Sequence, residues 1–310
     1  MLRHIYRTHI KNYLPKFLRK MISGFVSIFR KKDLYQMQIK EGLLNWHKIW
    51  KNPLFPYSWA NEYKAEMFPC VEDKSCNLFF IEKQGLKLYF ADSVDNGFEP
   101  CQESAAFLAM EQDLFSPHRY VTKENKMWGT LERAESEVHD EIPFFVEKGD
   151  IVADIGASNG NFSISVIENA KHIYLFEADC VWNIPLQKTF EKYKDKITII
   201  NKYVSDVDDE NSVALDTFFK NKEVNFIKAD IEGYEWQLLK GVKNILNTRN
   251  NIKCSVCTYH KPQDAQDFKN FFKESGYKTY FTDGYMFCPI NNTLQNTSFL
   301  RKGVIRAWKT

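Results

Sequence analysis

A chain of 310 residues, 44% hydrophobic and 15% aromatic, is long enough to bury a full core, and its 26% charged residues are an ordinary content for a soluble enzyme. The net charge of +2 hides an asymmetry: residues 1–32 hold nine Lys/Arg and no acid, while the remaining 278 hold 33 basic and 40 acidic residues. An acidic body disfavours a phosphate backbone as partner, so no nucleic acid is expected, and the best apolar run, "MISGFVSIF", is far short of the ~20 residues of a membrane span.

The leader has helical spacing. From Pro15, a step of 100° per residue places Phe17, Leu18, Met21, Ile22, Phe25, Val26, Ile28 and Phe29 on one half of the wheel, and Lys16, Arg19, Lys20 and Arg30 on the other. A basic amphipathic helix over residues 15–31 either lies on an anionic membrane surface or packs on its own domain or a second subunit as a homo-oligomer contact. The positive region is too long for a signal peptide and no small-residue cleavage site follows it. Seven scattered cysteines do not resemble the framework of a small secreted domain, so the expectation is a cytoplasmic protein, peripheral on the inner membrane face if the leader binds lipid.

Residues 33–75 show no clean period. "NLFFIEKQGLKLYF" reads as a hairpin around Lys-Gln-Gly, and "ESAAFLAMEQDLF" as a helix ending at Ser116-Pro117. Near Gly149 a different regime begins, in which strands alternate with helices as in a mainly parallel sheet covered on both faces. The strands are "DIVADI", "HIYLFE", "KITIINKYV", "VNFIKAD" and "IKCSVCTY", closed by strands near Tyr277–Phe281 and Val304–Trp308. The helices fall at Asn161–Ala170, about Ile184–Tyr193, through "YEWQLLKGVKNIL", and around Phe268–Phe272. Cys254 and Cys257 form one CxxC inside a strand with no second pair of zinc spacing, which reads as buried strand cysteines. Three regions follow: a basic helix over 1–32, an extension over 33–135 and an α/β domain over 136–310.

Ligands of such sheets bind where strand carboxyl ends turn into helices. The first of these turns is "DIGASNG", Asp154 to Gly160, whose Gly156 and Gly160 lack a Cβ and let backbone pass close to a ligand. Glu177 ends the next strand, placed to accept from a ribose diol. A dinucleotide fold needs G-x-G-x-x-G against a pyrophosphate, whereas the acid ahead of this turn suits the ammonium and sulfonium of S-adenosylmethionine. The competing readings are a tight turn whose Asp caps a helix, an NAD-type oxidoreductase, and a catalytically silent membrane-associated scaffold.

In their order and spacing, "GDIVADIGASNGNFS", "YLFEAD", "LDTFF" and "FIKADIEGYEWQLLKG" resemble the FkbM-type methyltransferases, a branch of the class I S-adenosylmethionine-dependent fold. K-x-D-x-E-G-x-E, Lys228 to Glu235, is the most specific element. The resemblance implies a Rossmann-like, seven-stranded, mainly parallel sheet after the helical and hairpin extension, S-adenosylmethionine as cofactor, and O-methylation of a hydroxyl on a sugar, glycan or glycolipid-type acceptor. It also implies that Asp154, Gly156, Ser158 and Gly160 line the methionine and ribose side and that Glu177 takes the ribose hydroxyls. There is one departure: many members have Glu-x-His at the end of the fifth strand, and here Thr258 stands at the Glu position with His260 retained.

Methyl transfer to an alcohol requires positioning and the removal of one proton. Asp230 ends the fourth strand and His260 follows the fifth, so both reach the binding edge; His260 is expected as the base beside Asp230, with Asp230 also near the cofactor. His118, in "SPHRY", is expected to close over the acceptor, which Arg119, Tyr120, Glu232 and Tyr259 would line; either histidine also reads as a structural hydrogen-bonding residue. Asp206, in the acidic loop "SDVDDEN", is placed near the adenine end. Glu232 and Glu235 flank Gly233 at a helix start, where acids are favoured whatever the function. No metal is expected, Asp230 and Glu232 being the residues that would hold a divalent cation.

Overall fold

The protein is described by a computed structural model over residues 54–55, 71–83, 85–90, 144–281, 285–287 and 300–309. The basic leader helix, the helix in "ESAAFLAMEQDLF", and His118, Arg119 and Tyr120 lie outside the described residues. Among the described residues no helix is long and apolar enough to cross a membrane.

A short strand β1 (Leu54–Phe55) pairs with β13 (Tyr285–Phe287), which pairs with β14 (Leu300–Arg301). The hairpin is present as β3 (Leu78–Lys83) and β4 (Leu86–Phe90), turning through Gly85 at φ 73°, with β2 (Val71–Asp73) on its flank. Its inner residues Ile81, Leu88 and Phe90 share a core with Phe144, Val152, Ile164, Leu186 and Phe190. The hairpin therefore packs against the domain that follows.

That domain is built on β5 (Ile151–Ile155), β6 (His172–Phe176), β7 (Ile197–Ile200), β10 (Phe226–Ala229), β11 (Lys253–Cys257), β12 (Lys278–Phe281) and β15 (Val304–Trp308). Their order in the sheet is β12-β15-β11-β10-β5-β6-β7, with β15 alone antiparallel to its neighbours. This is the class I methyltransferase arrangement. Near-continuous apolar runs such as "FIKA" form these strands because both faces of the sheet are covered. Side chains alternate between two cores: Val152 and Phe226 face α1 (Asn161–Val166), α2 (Asn183–Thr189) and the hairpin. Ala153, Ile155 and Ile227 face α3 (Leu215–Phe218), α4 (Glu235–Gly241), α5 (Lys243–Thr248) and α6 (Asp264–Glu274).

Three expectations are corrected in detail. "KITIINKYV" is two strands, because the chain leaves the main sheet after Ile200 and β8 (Tyr203–Ser205) pairs with β9 (Ser212–Ala214). The helix expected through "YEWQLLKGVKNIL" is two helices separated at Val242, and α1 is shorter than the expected Asn161–Ala170. The break has a steric cause nearby, since Gly241 lies where an added Cβ would stand 2.0 Å from the Ser205 carbonyl oxygen. The strand cysteines are as expected: Cys254 and Cys257 are buried and free, and burial pushes both thiols upward.

In the middle of the sheet, register places Lys228 of β10 beside Asp154 of β5. The Lys228 ammonium lies 2.9 Å from Asp154 Oδ1, and Ser163 Oγ of α1 donates to Asp154 Oδ2 at 2.7 Å. Burial alone would lower the Lys228 pKa, but the charges of Asp154 and Asp230 and the bond to Asp154 hold it above its ordinary value. Both partners are buried, the Asp154 side chain fully.

Two predictions follow from this packing. Gly241→Ala should lower stability in urea unfolding by about 1–3 kcal/mol, because a carbonyl oxygen at that distance must move and overpacking outweighs the gain in helix propensity; an unchanged midpoint would show that the helix end does not meet β8. Lys228→Met should cost about 3–5 kcal/mol by stranding a buried carboxylate, and adding Asp154→Asn should recover part of the loss through a coupling of about 0.5–3 kcal/mol. Strictly additive single changes would show that the two charges are not coupled.

Candidate active site

The strand order reverses between β5 and β10: from β5 the chain builds outward through β6 to β7, then returns to β10 on the other side. Adjacent loops leave in opposite directions at such a point and open a crevice at the carboxyl edge. The loop Gly156–Gly160 follows β5, Glu177 follows β6, Asp230 and Glu232 follow β10, and Tyr259 and His260 follow β11.

Lys228 continues from the ion pair into the glycine loop, donating to the Gly156 carbonyl at 2.7 Å. The Gly156 and Ala157 amides both donate to the Phe176 carbonyl, at 2.9 and 3.1 Å. Gly156 has φ 72°, and a Cβ there would stand 2.0 Å from the Asp230 carbonyl oxygen. A Cβ on Gly160 would meet Phe190 at 2.7 Å and Leu186 at 3.0 Å. The space each glycine leaves on its Cβ side is thus filled by protein. The Asp154 carboxylate meets Lys228 and Ser163.

Glu177 and Asn159 are the loop's ligand-competent groups. Glu177 accepts from the Ser158 amide at 2.7 Å and the Asp179 amide at 2.9 Å, one through each carboxylate oxygen, which leaves acceptor capacity on both. Burial lifts Glu177 above the usual carboxylate range despite those two amides and the nearby Lys228. Asn159 is fully buried, its Oδ1 accepts from the Asn161 amide at 3.0 Å, and its Nδ2 has no protein partner. A buried donor without an acceptor at a cofactor loop is complementary to a carboxylate. Glu177, with acceptor capacity on both oxygens, is the group here that fits the ribose hydroxyls of S-adenosylmethionine. Asp206 stands apart, its carboxylate meeting Lys240 at 3.8 Å and Ser205 at 3.2 Å.

Across the crevice lies an acidic cluster around one imidazole. The Tyr259 hydroxyl reaches both Asp230 oxygens, at 2.9 and 3.1 Å, and its ring lies 4.2 Å from that of His260. His260 Nδ1 is 2.9 Å from Glu235 Oε1, an oxygen that also accepts from the Ile231 amide at 2.9 Å. His260 Nε2 is 3.6 Å from Asp230 Oδ1 and 3.7 Å from Glu232 Oε2. The imidazole side chain is 6% exposed, that of Asp230 30% and that of Glu232 91%, so the cluster grades from buried to open. Burial would depress the imidazole pKa, but the bond to Glu235 and the charges of Glu235, Asp230 and Glu232 outweigh it and raise it to about 9. The three carboxylates thus favour the protonated ring when no other cation is present.

Two residues were underestimated by sequence reasoning. Thr258, where the resemblance implies a glutamate, is buried and donates to the Lys302 carbonyl at 2.7 Å. Glu235 from α4 supplies a carboxylate to the imidazole in its stead. Lys228 likewise gave a signal, a lysine inside the fully buried strand "FIKA". Two non-glycine residues of the crevice, Ser158 at φ 49° and Glu232 at φ 56°, are held in the left-handed region, one in each of the facing loops.

Against proteins of known family, residues 98–279 match the model described as the methyltransferase FkbM domain. Among solved structures, methyltransferase FkbM from Methylobacillus flagellatus KT aligns at 15% identity with a TM-score of 0.42, over 66% of this chain and 54% of that one. The chain thus spans about half the length of that relative. A precorrin-6y C5,15-methyltransferase from Geobacter metallireducens GS-15 aligns at 14% identity and a TM-score of 0.37, over 53% of this chain and 82% of that one. The tRNA m1G37 methyltransferase of M. jannaschii aligns at 15% and 0.40, over 75% and 55%. No curated protein matches the sequence. The match to the family model covers more than half of the chain, which belongs to the FkbM methyltransferase family.

Proposed function

We propose that the protein transfers a methyl group from S-adenosylmethionine to a hydroxyl of a sugar- or glycolipid-type acceptor. One observation carries the reading: the ribose-competent Glu177 and the Asp230–Tyr259–His260 cluster flank the same crevice at the reversal of strand order. Membership of a methyltransferase family implies S-adenosylmethionine as donor and sets the NAD-type oxidoreductase aside. When bound, the cofactor supplies a methyl carbon already activated by its sulfonium.

The chain's own residues then have two tasks. Glu177, braced by the Ser158 and Asp179 amides, fixes the nucleoside half, and the Lys228-anchored loop fixes its approach. Asp230, oriented by Tyr259 and partly open to the crevice, accepts the acceptor's proton. A carboxylate suffices for this, because the hydroxyl becomes strongly acidic as its oxygen takes on the methyl carbon, and the proton can leave late in the transfer. Tyr234, 63% exposed on the same loop as the exposed Glu232, offers an aromatic face beside a hydrogen-bonding carboxylate, as a sugar ring requires. His118, Arg119 and Tyr120 complete the acceptor side in this proposal.

Calorimetry with S-adenosylhomocysteine should detect binding, and Glu177→Ala should weaken it by about 1–3 kcal/mol; binding of NADH with none of S-adenosylhomocysteine would overturn the reading. Asp230→Asn should lower kcat with an authentic acceptor by about 10²-fold or more, while affinity for S-adenosylhomocysteine changes far less. Near-normal turnover of that variant would move the proton acceptor to another group.

A further inference from the structure

His260 Nε2 sits in an unusual position. It belongs to a side chain 6% exposed, has no hydrogen-bond partner among the described residues, and is turned toward two carboxylate oxygens at 3.6 and 3.7 Å. An N–H···O hydrogen bond closes to about 2.7–3.2 Å, so these separations are too long for a proton shared between nitrogen and oxygen. They match a different geometry: an ion about 2.1 Å from each of its ligands leaves those ligand atoms about 3.0–4.2 Å apart, depending on the angle between them.

The other side of the ring points the same way. Nδ1 lies 2.9 Å from Glu235 Oε1, and Glu235 is itself fully buried and held by the Ile231 amide. A carboxylate 2.9 Å from Nδ1 favours a proton there, so that an ion displacing the Nε2 proton would meet the lone pair of that nitrogen, the arrangement that backs metal-bound histidines. Nε2 faces Asp230 and Glu232 across a gap that a cation, a proton or a metal ion, makes favourable. Asp230, Glu235 and His260 bring ligand atoms within 4.8 Å of one another. Among the described residues, Lys228 is committed to Asp154 and the Gly156 carbonyl, and Lys261 to the Gly233 carbonyl.

We infer that Asp230 Oδ1, Glu232 Oε2 and His260 Nε2 form a binding site for one divalent first-row metal ion, with Glu235 as the group that orients the imidazole. One nitrogen and two carboxylate oxygens favour an ion such as Mn²⁺, which accepts both donor types, over the all-oxygen preference of Ca²⁺. Three protein ligands leave positions open toward the crevice, where a hydroxyl oxygen would bind. That role rests on the proposed methyl-transfer reading, whereas the binding of the ion does not.

The experiment titrates the full-length protein, stripped with chelator and confirmed metal-free, with Mn²⁺, followed by electron paramagnetic resonance and calorimetry. S-adenosylhomocysteine is titrated separately into the same preparation. The expected result is one Mn²⁺ per chain, weakened at least tenfold by Asp230→Asn and by His260→Gln, and 10- to 100-fold by Glu235→Gln if it orients the ring. Should the buried variants fail to fold by circular dichroism, Glu232→Gln, at the exposed end of the cluster, must still weaken binding at least tenfold. No Mn²⁺ binding, or binding that no folded variant changes, overturns the site. Loss of the metal with S-adenosylhomocysteine binding retained would sink this inference alone, and Mn²⁺ binding without affinity for S-adenosylhomocysteine would sink the methyl-transfer reading alone.

Discussion

The ion pair of Lys228 with Asp154 is the constraint on which the rest of the site depends. Two charges removed from water cost several kcal/mol each, and they remain in the middle of a sheet only because they meet each other and their remaining hydrogen-bonding capacity is used. Ser163 takes the second Asp154 oxygen and the Gly156 carbonyl takes the lysine. One buried charge pair thereby joins two adjacent strands, the first helix and the glycine loop. The loop's conformation is determined from beneath, by the sheet, before any ligand is present.

The two sides of the crevice differ in electrostatic character. On the glycine side the buried acid has its own lysine, and Glu177 is braced by backbone amides. On the other side three carboxylates surround a single imidazole, so negative charge is in excess and is only partly relieved by Tyr259 and the Ile231 amide. A fold retains such an excess at a cost, and its natural complement is positive charge arriving from outside. The raised proton affinity of His260 and the wide spacing of its neighbours are two expressions of the same field.

Much of the architecture was legible in the sequence because buried parallel strands read as short apolar runs between turns. All seven main strands could be placed that way, and so could the hairpin around Gly85. Helix limits were less legible: nothing local to "LLKGVKNIL" reveals that Gly241 abuts the Ser205 carbonyl, a contact between segments 36 positions apart. The same holds for the site. Position along a strand identified Glu177, Asp230 and His260 as edge residues, but their protonation and partners depend on register and on other elements. Lys228 opposite Asp154 is a fact of strand register, and the proton on His260 is a fact of Glu235 on a neighbouring helix. A lysine inside an apolar strand was the available clue, since it requires a buried acid, and "VADI" held the one that answers it.

Ser158 and Glu232 carry a consequence for how this protein tolerates change. Each holds a non-glycine residue in the left-handed region, a conformation costing on the order of 1–3 kcal/mol, and each faces the crevice from its own loop. A glycine at either place would relax that strain, yet it would delete a side chain where the two loops face the crevice. Selection for thermal robustness and selection for ligand handling therefore pull in opposite directions at these two codons. Sequence drift toward glycine there would mark a lineage in which the pocket has fallen out of use while the scaffold is kept.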